Sequence, residues 1–305
     1  MPGVGKGNTD ELSERDRCAG CACRDVKATI GSHGAVSYDR PVANDRRYLL
    51  DNQQAEAGLR FDALSALFNP STFRHIQALG IRPGWRVWEV GAGGPTVPSW
   101  LAGQVGTVGE VLATDIDPSW IEGTATDYAV RRHDVAKEPP PGARFDLVHA
   151  RLVLVHVHER SQALANMAGA LRPGGWLLLE EADPELQPLV CIDDCGPAQQ
   201  LANKLKRGFR SLLAERGVDL AYGRTLPRRL RDAGLVDVGS DAYFPVTGPE
   251  CNDLERATVE QIRDRLIGAA LATDDEIERH LANVAGGRLD LATSPMISAW
   301  GRRPA

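Results

Sequence analysis

Residues 87–95, Val-Trp-Glu-Val-Gly-Ala-Gly-Gly-Pro, decide the fold of this chain, because they join a short apolar strand to a glycine turn. The helix-like segment VPSWLAGQV follows at residues 97–105. Glycines let the backbone turn sharply and approach a ligand closely, and a helix N-terminus offers unpaired N–H groups. The stretch therefore predicts a small-molecule site at the end of the first strand. A turn without a ligand is the alternative.

A nicotinamide-dinucleotide site also begins with a strand and a glycine turn. That fingerprint requires the spacing G-x-G-x-x-G, and the position of the third glycine is occupied by Thr96. Glu89 lies two residues before the first glycine. A carboxylate there would repel a pyrophosphate, but it would attract a cationic ligand with an amino group and a sulfonium centre. The charge pattern favours a sulfonium cofactor.

Short apolar runs alternate with helical segments along the chain after residue 85. The runs are RVWEV, VLATD, YAVRRHD, FDLVHA and GGWLLLEEA, at residues 86–90, 111–115, 128–134, 145–150 and 174–182. Strands regularly separated by helices predict an α/β fold with a mostly parallel sheet and right-handed crossovers. Ligands of such sheets bind at the carboxyl ends of the strands.

Acidic residues follow the second and third predicted strands. Asp115 ends the second strand, where one carboxylate can accept hydrogen bonds from both hydroxyls of a ribose. Asp117 precedes Pro118, and we expect it to cap a helix or turn. Asp134 could accept the exocyclic amine of an adenine while Val135 packs on the ring. A local turn is the alternative role for Asp134.

Five segments resemble, in order and spacing, the motifs of class I S-adenosylmethionine-dependent methyltransferases over residues 85–183: EVGAGG, ATDID, RRHDV, RFDLVHARLVLVHV and ALRPGGWLLLEEAD. The resemblance implies a Rossmann-like, mostly parallel seven-stranded sheet with helices on both faces, whose antiparallel last strand is MISAWG at residues 296–301. It also implies S-adenosylmethionine as the cofactor. The residues that match the family's cofactor site are Glu89, Gly91 and Gly93 at the methionine end, Asp115 and Ile116 at the ribose and adenine, Asp134 and Val135 at the adenine, and Arg151 beside the cofactor.

Pro95 departs from the family pattern, which often has a third glycine at this position. Proline lacks an N–H group, but it is tolerated in the first turn of a helix, where that group has no helical partner. We therefore expect cofactor binding to persist with one backbone donor fewer.

The residues after the fourth strand restrict the methyl acceptor. Family members that methylate exocyclic amines of bases or glutamine amides resemble one another in an Asn/Asp-Pro-Pro-aromatic motif, whereas this chain has His149-Ala150-Arg151-Leu152. The Pro-Cys pair typical of cytosine carbon methylation is also absent from this sequence segment. The resemblance therefore favours methyl transfer to oxygen, nitrogen or carbon of a small metabolite. Helical additions at 45–80, 184–222 and 250–285 would form a lid over it.

Three histidines near the fourth strand, His149, His156 and His158, are candidates for a general base. Histidine has a pKa suited to that role, although in-line methyl transfer needs a base only if the nucleophile starts protonated. His156 resembles in position a histidine frequent in the small-molecule branch, and it is our candidate catalytic residue. A structural role is the alternative for each of the three.

The outer parts of the chain have other patterns. Residues 1–44 lack sustained periodicity and predict a flexible tail, and the Cys18–Cys23 cluster within it has no second ligand pair, so no metal site is expected. Residues 45–82 predict a helical cap of two helices separated at Asn69-Pro70. Residues 83–305 would form the methyltransferase domain, with the cofactor core at 85–183 and the lid helices and last strands at 184–305.

Composition and charge exclude several classes of partner. A net charge of −6 argues against a nucleic-acid surface. No apolar run approaches the roughly 20 residues that span a bilayer, and the polar N-terminus lacks a secretory signal, so we expect no membrane contact and a cytoplasmic location. The expected partner is a small-molecule methyl acceptor, with a homodimer as an open option. A protein methyltransferase of the same fold and a non-catalytic cofactor-binding regulator are the alternative functions.

Overall fold

Seven strands form one sheet: β1 (Arg86–Val90), β2 (Glu110–Asp115), β3 (Ala129–Arg132), β4 (Phe145–Arg151), β5 (Leu171–Ala182), β6 (Val236–Tyr243) and β7 (Met296–Arg302). Their order is β3-β2-β1-β4-β5-β7-β6. The first five strands pair in parallel, whereas β7 runs antiparallel between β5 and β6. The predicted sheet, with its antiparallel last strand, is confirmed.

The computed structural model describes residues 49–50, 55–123 and 127–305. The predicted tail at 1–44 and the Cys18–Cys23 cluster lie outside these residues.

Seven α-helices occur in the described part of the chain: α1 (Ala55–Ala78), α2 (Thr96–Val105), α3 (Arg160–Ala170), α4 (Pro197–Glu215), α5 (Leu226–Asp232), α6 (Pro249–Gly268) and α7 (Asp274–Ala285). Short 3₁₀ turns lie at Pro118–Trp120, Leu154–His156 and Gly223–Thr225. No helix in these ranges combines the length and the apolar character needed to cross a membrane.

The alternation of side chains along the strands divides the core into two layers. Trp88 and Val148 project to one face, where they share an apolar cluster with Met167 of α3. Val87 projects to the other face, where it clusters with Ile76 of α1. Fully burying a large apolar side chain stabilises the fold by about 1.5–3 kcal/mol. The helices therefore cover both faces of the sheet, as predicted.

Helix α1 continues through Pro70, so the predicted end of a helix at Asn69-Pro70 is wrong. Proline cannot donate to the carbonyl four residues earlier, at Ala66, and such a residue destabilises a helix by about 3 kcal/mol. Phe68 and Thr72, on either side of the proline, are both buried. Burial of these flanking turns in the tertiary structure offsets the destabilisation caused by the proline. The local sequence pattern does not reveal this burial.

Helices α4, α6 and α7 lie in the segments predicted to form a lid, are called the lid helices below, and share an apolar core of their own. Leu205, Ile262, Leu266 and Ile277 are buried together there. The predicted helical region from 253 to 284 is divided into α6 and α7, because Thr273 starts a new helix with a reciprocal capping box. The lid therefore has its own source of stability beside the sheet.

Candidate functional site

The glycine turn connects β1 to α2 at the carboxyl end of the sheet. Gly91 and Gly93 both adopt left-handed backbone conformations, with φ of 64° and 61°. Pro95 occupies the N-cap of α2, where a missing N–H costs no helical hydrogen bond. The departure from the family pattern is thus accommodated by the helix that follows it.

We expect Gly91→Ala to lower stability by roughly 1–3 kcal/mol, because a left-handed backbone is strained for alanine. The new Cβ would also lie 2.4 Å from Cγ2 of Val153. Gly94→Ala is the matched control, since its Cβ would meet no atom closer than the Phe61 Cβ at 3.9 Å. Thermal denaturation of both variants is the measurement. Equal melting temperatures would show that the turn is not constrained as described.

Asp115 holds the glycine turn from the end of the neighbouring strand. Its Oδ2 accepts a hydrogen bond from the Gly93 N–H at 3.0 Å, and its Oδ1 accepts one from the Asp117 N–H at 2.9 Å. Burial raises the pKa of Asp115, while these backbone donors lower it in part. Each carboxylate oxygen carries two lone pairs. Capacity therefore remains for hydroxyl groups of a ligand.

The two other predicted acidic residues have local partners. Asp117 caps the 3₁₀ turn at Pro118–Trp120 by accepting from the Ser119 N–H, which confirms its predicted role. The carboxylate of Asp134 accepts from the Ala136 N–H at 3.0 Å and lies 2.9 Å from the Lys137 ammonium. Burial alone would raise the pKa of Asp134, but these contacts lower it. The geometry of Asp134 is that of the turn named above as its alternative role.

Glu89 is bound to a buried histidine on the adjacent strand. His149 is its direct partner across β1 and β4, and Nδ1 of His149 lies 2.6 Å from Oε2 of Glu89. The other ring nitrogen lies 3.3 Å from Oε2 of Glu180 on β5. Burial lowers the pKa of His149, but the charge of Glu89 and the hydrogen bonds to both carboxylates raise it to about 9. A protonated imidazole therefore bridges two buried carboxylates.

The bridge extends across the sheet as a polar row, formed by Glu89, His149, Glu180, Ser298 and Asp241. Ser298 donates to Glu180 at 2.7 Å and is the register partner of both Glu180 and Asp241. The row thus crosses β1, β4, β5, β7 and β6 on one face.

Helix α1 and β4 supply three more polar side chains to the row. Thr72 donates to Glu180, and His75 lies 3.3 Å from Glu180 and 2.8 Å from Asp241. Arg151 donates to Thr72 at 3.0 Å. Burial opposes ionisation of Glu180, yet the neighbouring histidines and Arg151 hold its pKa well below the usual range. Each buried charge of the row therefore has an opposite charge nearby.

A cavity of about 690 Å³ lies between the carboxyl ends of the strands and the lid. It is lined by every predicted site residue: Glu89, Gly91, Gly93, Asp115, Ile116, Asp134, Val135, Arg151 and His156. The cavity is also lined by Arg60, Phe61 and Phe68 of α1, by Lys206, Phe209 and Leu254 of the lid helices, and by Thr293 in the segment before β7. The structure thus brings the predicted residues together, and their roles in binding stay predictions.

The three candidate histidines have different surroundings. His149 is fully buried in the polar row and is absent from the cavity wall, whereas His156 and His158 line the cavity. Burial lowers the pKa of His156 to about 4, with the nearby cations Arg60 and Arg160 acting in the same direction. A general base works best when its pKa lies near the working pH. His156 is therefore uncharged at neutral pH and a weak base, and its catalytic role stays a prediction.

Sequence reasoning missed Glu180, His75 and Thr72 in the row and Lys206 in the cavity. Glu180 had a detectable signal, because a carboxylate in the middle of the apolar run GGWLLLEEA needs a buried partner. His75 and Lys206 lie among other polar residues of amphipathic helices and carry no comparable signal.

Known proteins resemble this chain in sequence and in fold. Residues 47–239 match the sequence family described as "Methyltransferase domain". The ubiquinone/menaquinone biosynthesis C-methyltransferase UbiE of Laribacter hongkongensis is 33% identical over 129 residues, which are 39% of this chain and 52% of the relative. Methyltransferase str2 of Strobilurus tenacellus is 32% identical over 146 residues, 46% of this chain and 50% of the relative. The chain spans about half the length of these curated relatives.

Solved structures share the fold at low sequence identity. A Haemonchus contortus phosphoethanolamine N-methyltransferase 2, solved with phosphomonomethylethanolamine and S-adenosylhomocysteine, has a TM-score of 0.51 at 14% identity, covering 85% of this chain and 60% of its own. A methyltransferase in complex with the Trm112 activator of Haloferax volcanii has a TM-score of 0.52 at 15% identity, covering 85% and 98%. Because the family match spans more than half of the chain, the chain belongs to the methyltransferase-domain family.

Proposed function

We propose that the protein is an S-adenosylmethionine-dependent methyltransferase that transfers a methyl group to oxygen, nitrogen or carbon of a small, largely apolar metabolite. The observation that carries the proposal is the cavity. The acidic strand ends and the glycine turn form one of its walls, and the apolar lid forms the other. Family membership supports the reaction class.

The residues at the strand ends fit the proposed cofactor by charge and hydrogen-bonding capacity. Glu89 supplies a carboxylate for the ammonium group, and Asp115 supplies free lone pairs for the ribose hydroxyls. Ile116 is 60% exposed although apolar, and it lines the cavity, which suits packing against a ring. When bound, the cofactor provides a methyl group activated by positively charged sulfur. Gly91, Gly93, Asp134, Val135 and Arg151 would complete its site.

The lid favours a small acceptor over an extended peptide. Phe68, Phe209 and Leu254 line the cavity from helices α1, α4 and α6, whereas Phe61 lies beside the glycine turn at Gly93. Much of the rate enhancement of methyl transfer can come from alignment and exclusion of water. The chain's own contribution is then to hold the acceptor in line and keep the site dry. The UbiE relatives are named for carbon methylation in quinone biosynthesis, which makes an apolar ring compound one candidate acceptor.

Two measurements test this function. Calorimetric titration with S-adenosylhomocysteine should show stoichiometric binding. Incubation with tritium-labelled methyl donor and an extract of the source cells should place label in small molecules that partition into organic solvent. Label in the protein fraction would favour the protein methyltransferase, and absence of S-adenosylhomocysteine binding would exclude the proposed function.

A further inference from the structure

Lys206 is a cation of the cavity wall. Within the described residues, no carboxylate oxygen lies within 4.0 Å of its Nζ. Nζ of Lys206 donates a hydrogen bond to the Ser294 hydroxyl at 3.5 Å and lies 5.6 Å from the centroid of the Phe209 ring. Burial lowers the pKa of Lys206, and Glu255 opposes that shift. An ammonium group in such surroundings favours an anionic partner.

The charged groups around Lys206 are already engaged elsewhere. Glu255 lines the same cavity, but its Oε1 lies 2.8 Å from Nε2 of His280. Arg210 is paired with Glu185 at 2.6 Å. Glu255 is thus bound to a different partner, and Arg210, itself a cation, cannot compensate the charge of Lys206.

Lys204 shows what an ordinary lysine of the same helix does. Its Nζ lies 2.7 Å and 2.6 Å from the two carboxylate oxygens of Glu276, and it does not line the cavity. The contrast between Lys204 and Lys206 indicates that the missing ion pair is specific to the cavity side of α4.

A second polar group of the cavity wall, the hydroxyl of Thr293, neighbours Ser294 in sequence. Thr293 is buried and lines the cavity, and its Oγ1 has no hydrogen-bond partner among the described residues. A buried polar atom left without a partner costs free energy, which a bound ligand can recover. Thr293 and Lys206 thus provide independent observations of unmet hydrogen-bonding capacity at the lid end of the cavity.

We propose that Lys206, Thr293 and Ser294 bind an anionic oxygen group, a carboxylate or a phenolate, on a methyl acceptor whose remaining body is apolar. This inference rests on the proposed function and specifies its substrate class. The opposite end of the cavity carries Glu89 and Asp115, whose charges would repel the same group. The charges therefore orient the acceptor, with its anionic group toward the lid and its remainder toward the strand ends.

The test uses probes of known charge, titrated into the full chain saturated with S-adenosylhomocysteine. The carboxylate probe is 4-butylbenzoate, and its neutral comparator is 4-butylbenzamide. The phenolate probe is 4-nitrophenol, whose visible absorption reports the fraction that binds as the anion. We expect at least one anionic probe to bind about ten- to a hundredfold more tightly than its neutral form, as for hydrogen bonds to a charged group. The arm that responds identifies the source of the oxygen.

Three variants assign the preference to the proposed residues. Lys206→Met should abolish the preference for the anion, while Lys204→Met, which removes the same charge from the same helix, should retain it. Thr293→Val should weaken anion binding severalfold without lowering the melting temperature, since in the described part of the chain no group accepts from or donates to its hydroxyl. If Thr293 had a structural role instead, the Thr293→Val substitution would lower the melting temperature.

The failures of the two proposals are distinguishable. Lack of S-adenosylhomocysteine binding removes the proposed function and the inference with it. Normal S-adenosylhomocysteine binding, combined with no preference for either anion or with a preference that persists in Lys206→Met, overturns the inference alone.

Discussion

We expect His149→Gln to lower the free energy of unfolding by about 3–5 kcal/mol, the cost of leaving buried charges without their partner. The imidazole lies between the carboxylates of Glu89 and Glu180, and all three side chains are almost fully buried. Glutamine fills a similar volume but carries no charge, so Glu89 would lose its cationic partner and Glu180 would depend on His75 and Arg151. Denaturant unfolding is the measurement, and His158→Gln, at an exposed position, is the control.

The pH dependence distinguishes lost charge from lost packing. Because the pKa of folded His149 is about 9, above its ordinary value of 6.5, its stabilisation is fully present below pH 6.5 and is lost as the pH rises through 9. Wild-type stability should therefore fall over this window, and that fall should be smaller in His149→Gln. The double variant with Glu180→Gln should lose less than the sum of the single variants, because the charges interact. If the losses of stability in the two single variants were strictly additive and the pH dependence of stability were the same in wild type and His149→Gln, the polar row would not carry the charges assigned to it.

The second large effect concerns cofactor affinity. Asp115→Ala should weaken S-adenosylhomocysteine by about ten- to a hundredfold, since it removes charge-assisted hydrogen bonds to the ribose worth roughly 1.5–3 kcal/mol. It also leaves the N–H groups of Gly93 and Asp117 without their acceptor, which loosens the turn. Asp117→Ala should change affinity little, because its carboxylate caps the following 3₁₀ turn.

Calorimetric titration of both variants is the measurement. Asp115→Asn is the intermediate case, because it retains one acceptor oxygen and loses the charge, and its affinity should fall between those of the wild type and Asp115→Ala. If Asp117→Ala lost binding while Asp115→Ala bound normally, the ribose would lie against Asp117, and our assignment of Asp115 would be wrong.

The parts of the fold that were predicted correctly are those whose signals are local. The glycine turn after Val90, the strand ending at Asp115 and the capping role of Asp117 all depend on neighbours within a few residues. The antiparallel direction of β7 could not be predicted from local signals, because no local property of MISAWG determines it. That prediction came from the family resemblance and not from the residues themselves.

The parts that were missed depend on strand register and on tertiary burial. The polar row joins residues as distant as Glu89 and Asp241, which become neighbours only once five strands are aligned. Lys206 and Ser294 lie 88 residues apart in sequence, so their contact has no local signature. Pro70 misled the prediction for the opposite reason, since a strong local signal was outweighed by burial of the turns beside it.

The polar row also ends at an outer border of the sheet, because among the described residues β6 pairs with a strand on one side only. A free border exposes unpaired backbone groups to which a strand of another molecule can add. Two features of β6 oppose such addition. The first is a register shift between Val236 and Gly239, where Asp237 adopts a left-handed conformation. The second is the charged Asp241, which is bound by His75 and Arg74. Bulges and inward-pointing charges hinder edge-to-edge pairing in sheet proteins generally. The carboxylate that terminates the polar row is thus also a charge of the kind that opposes edge-to-edge pairing.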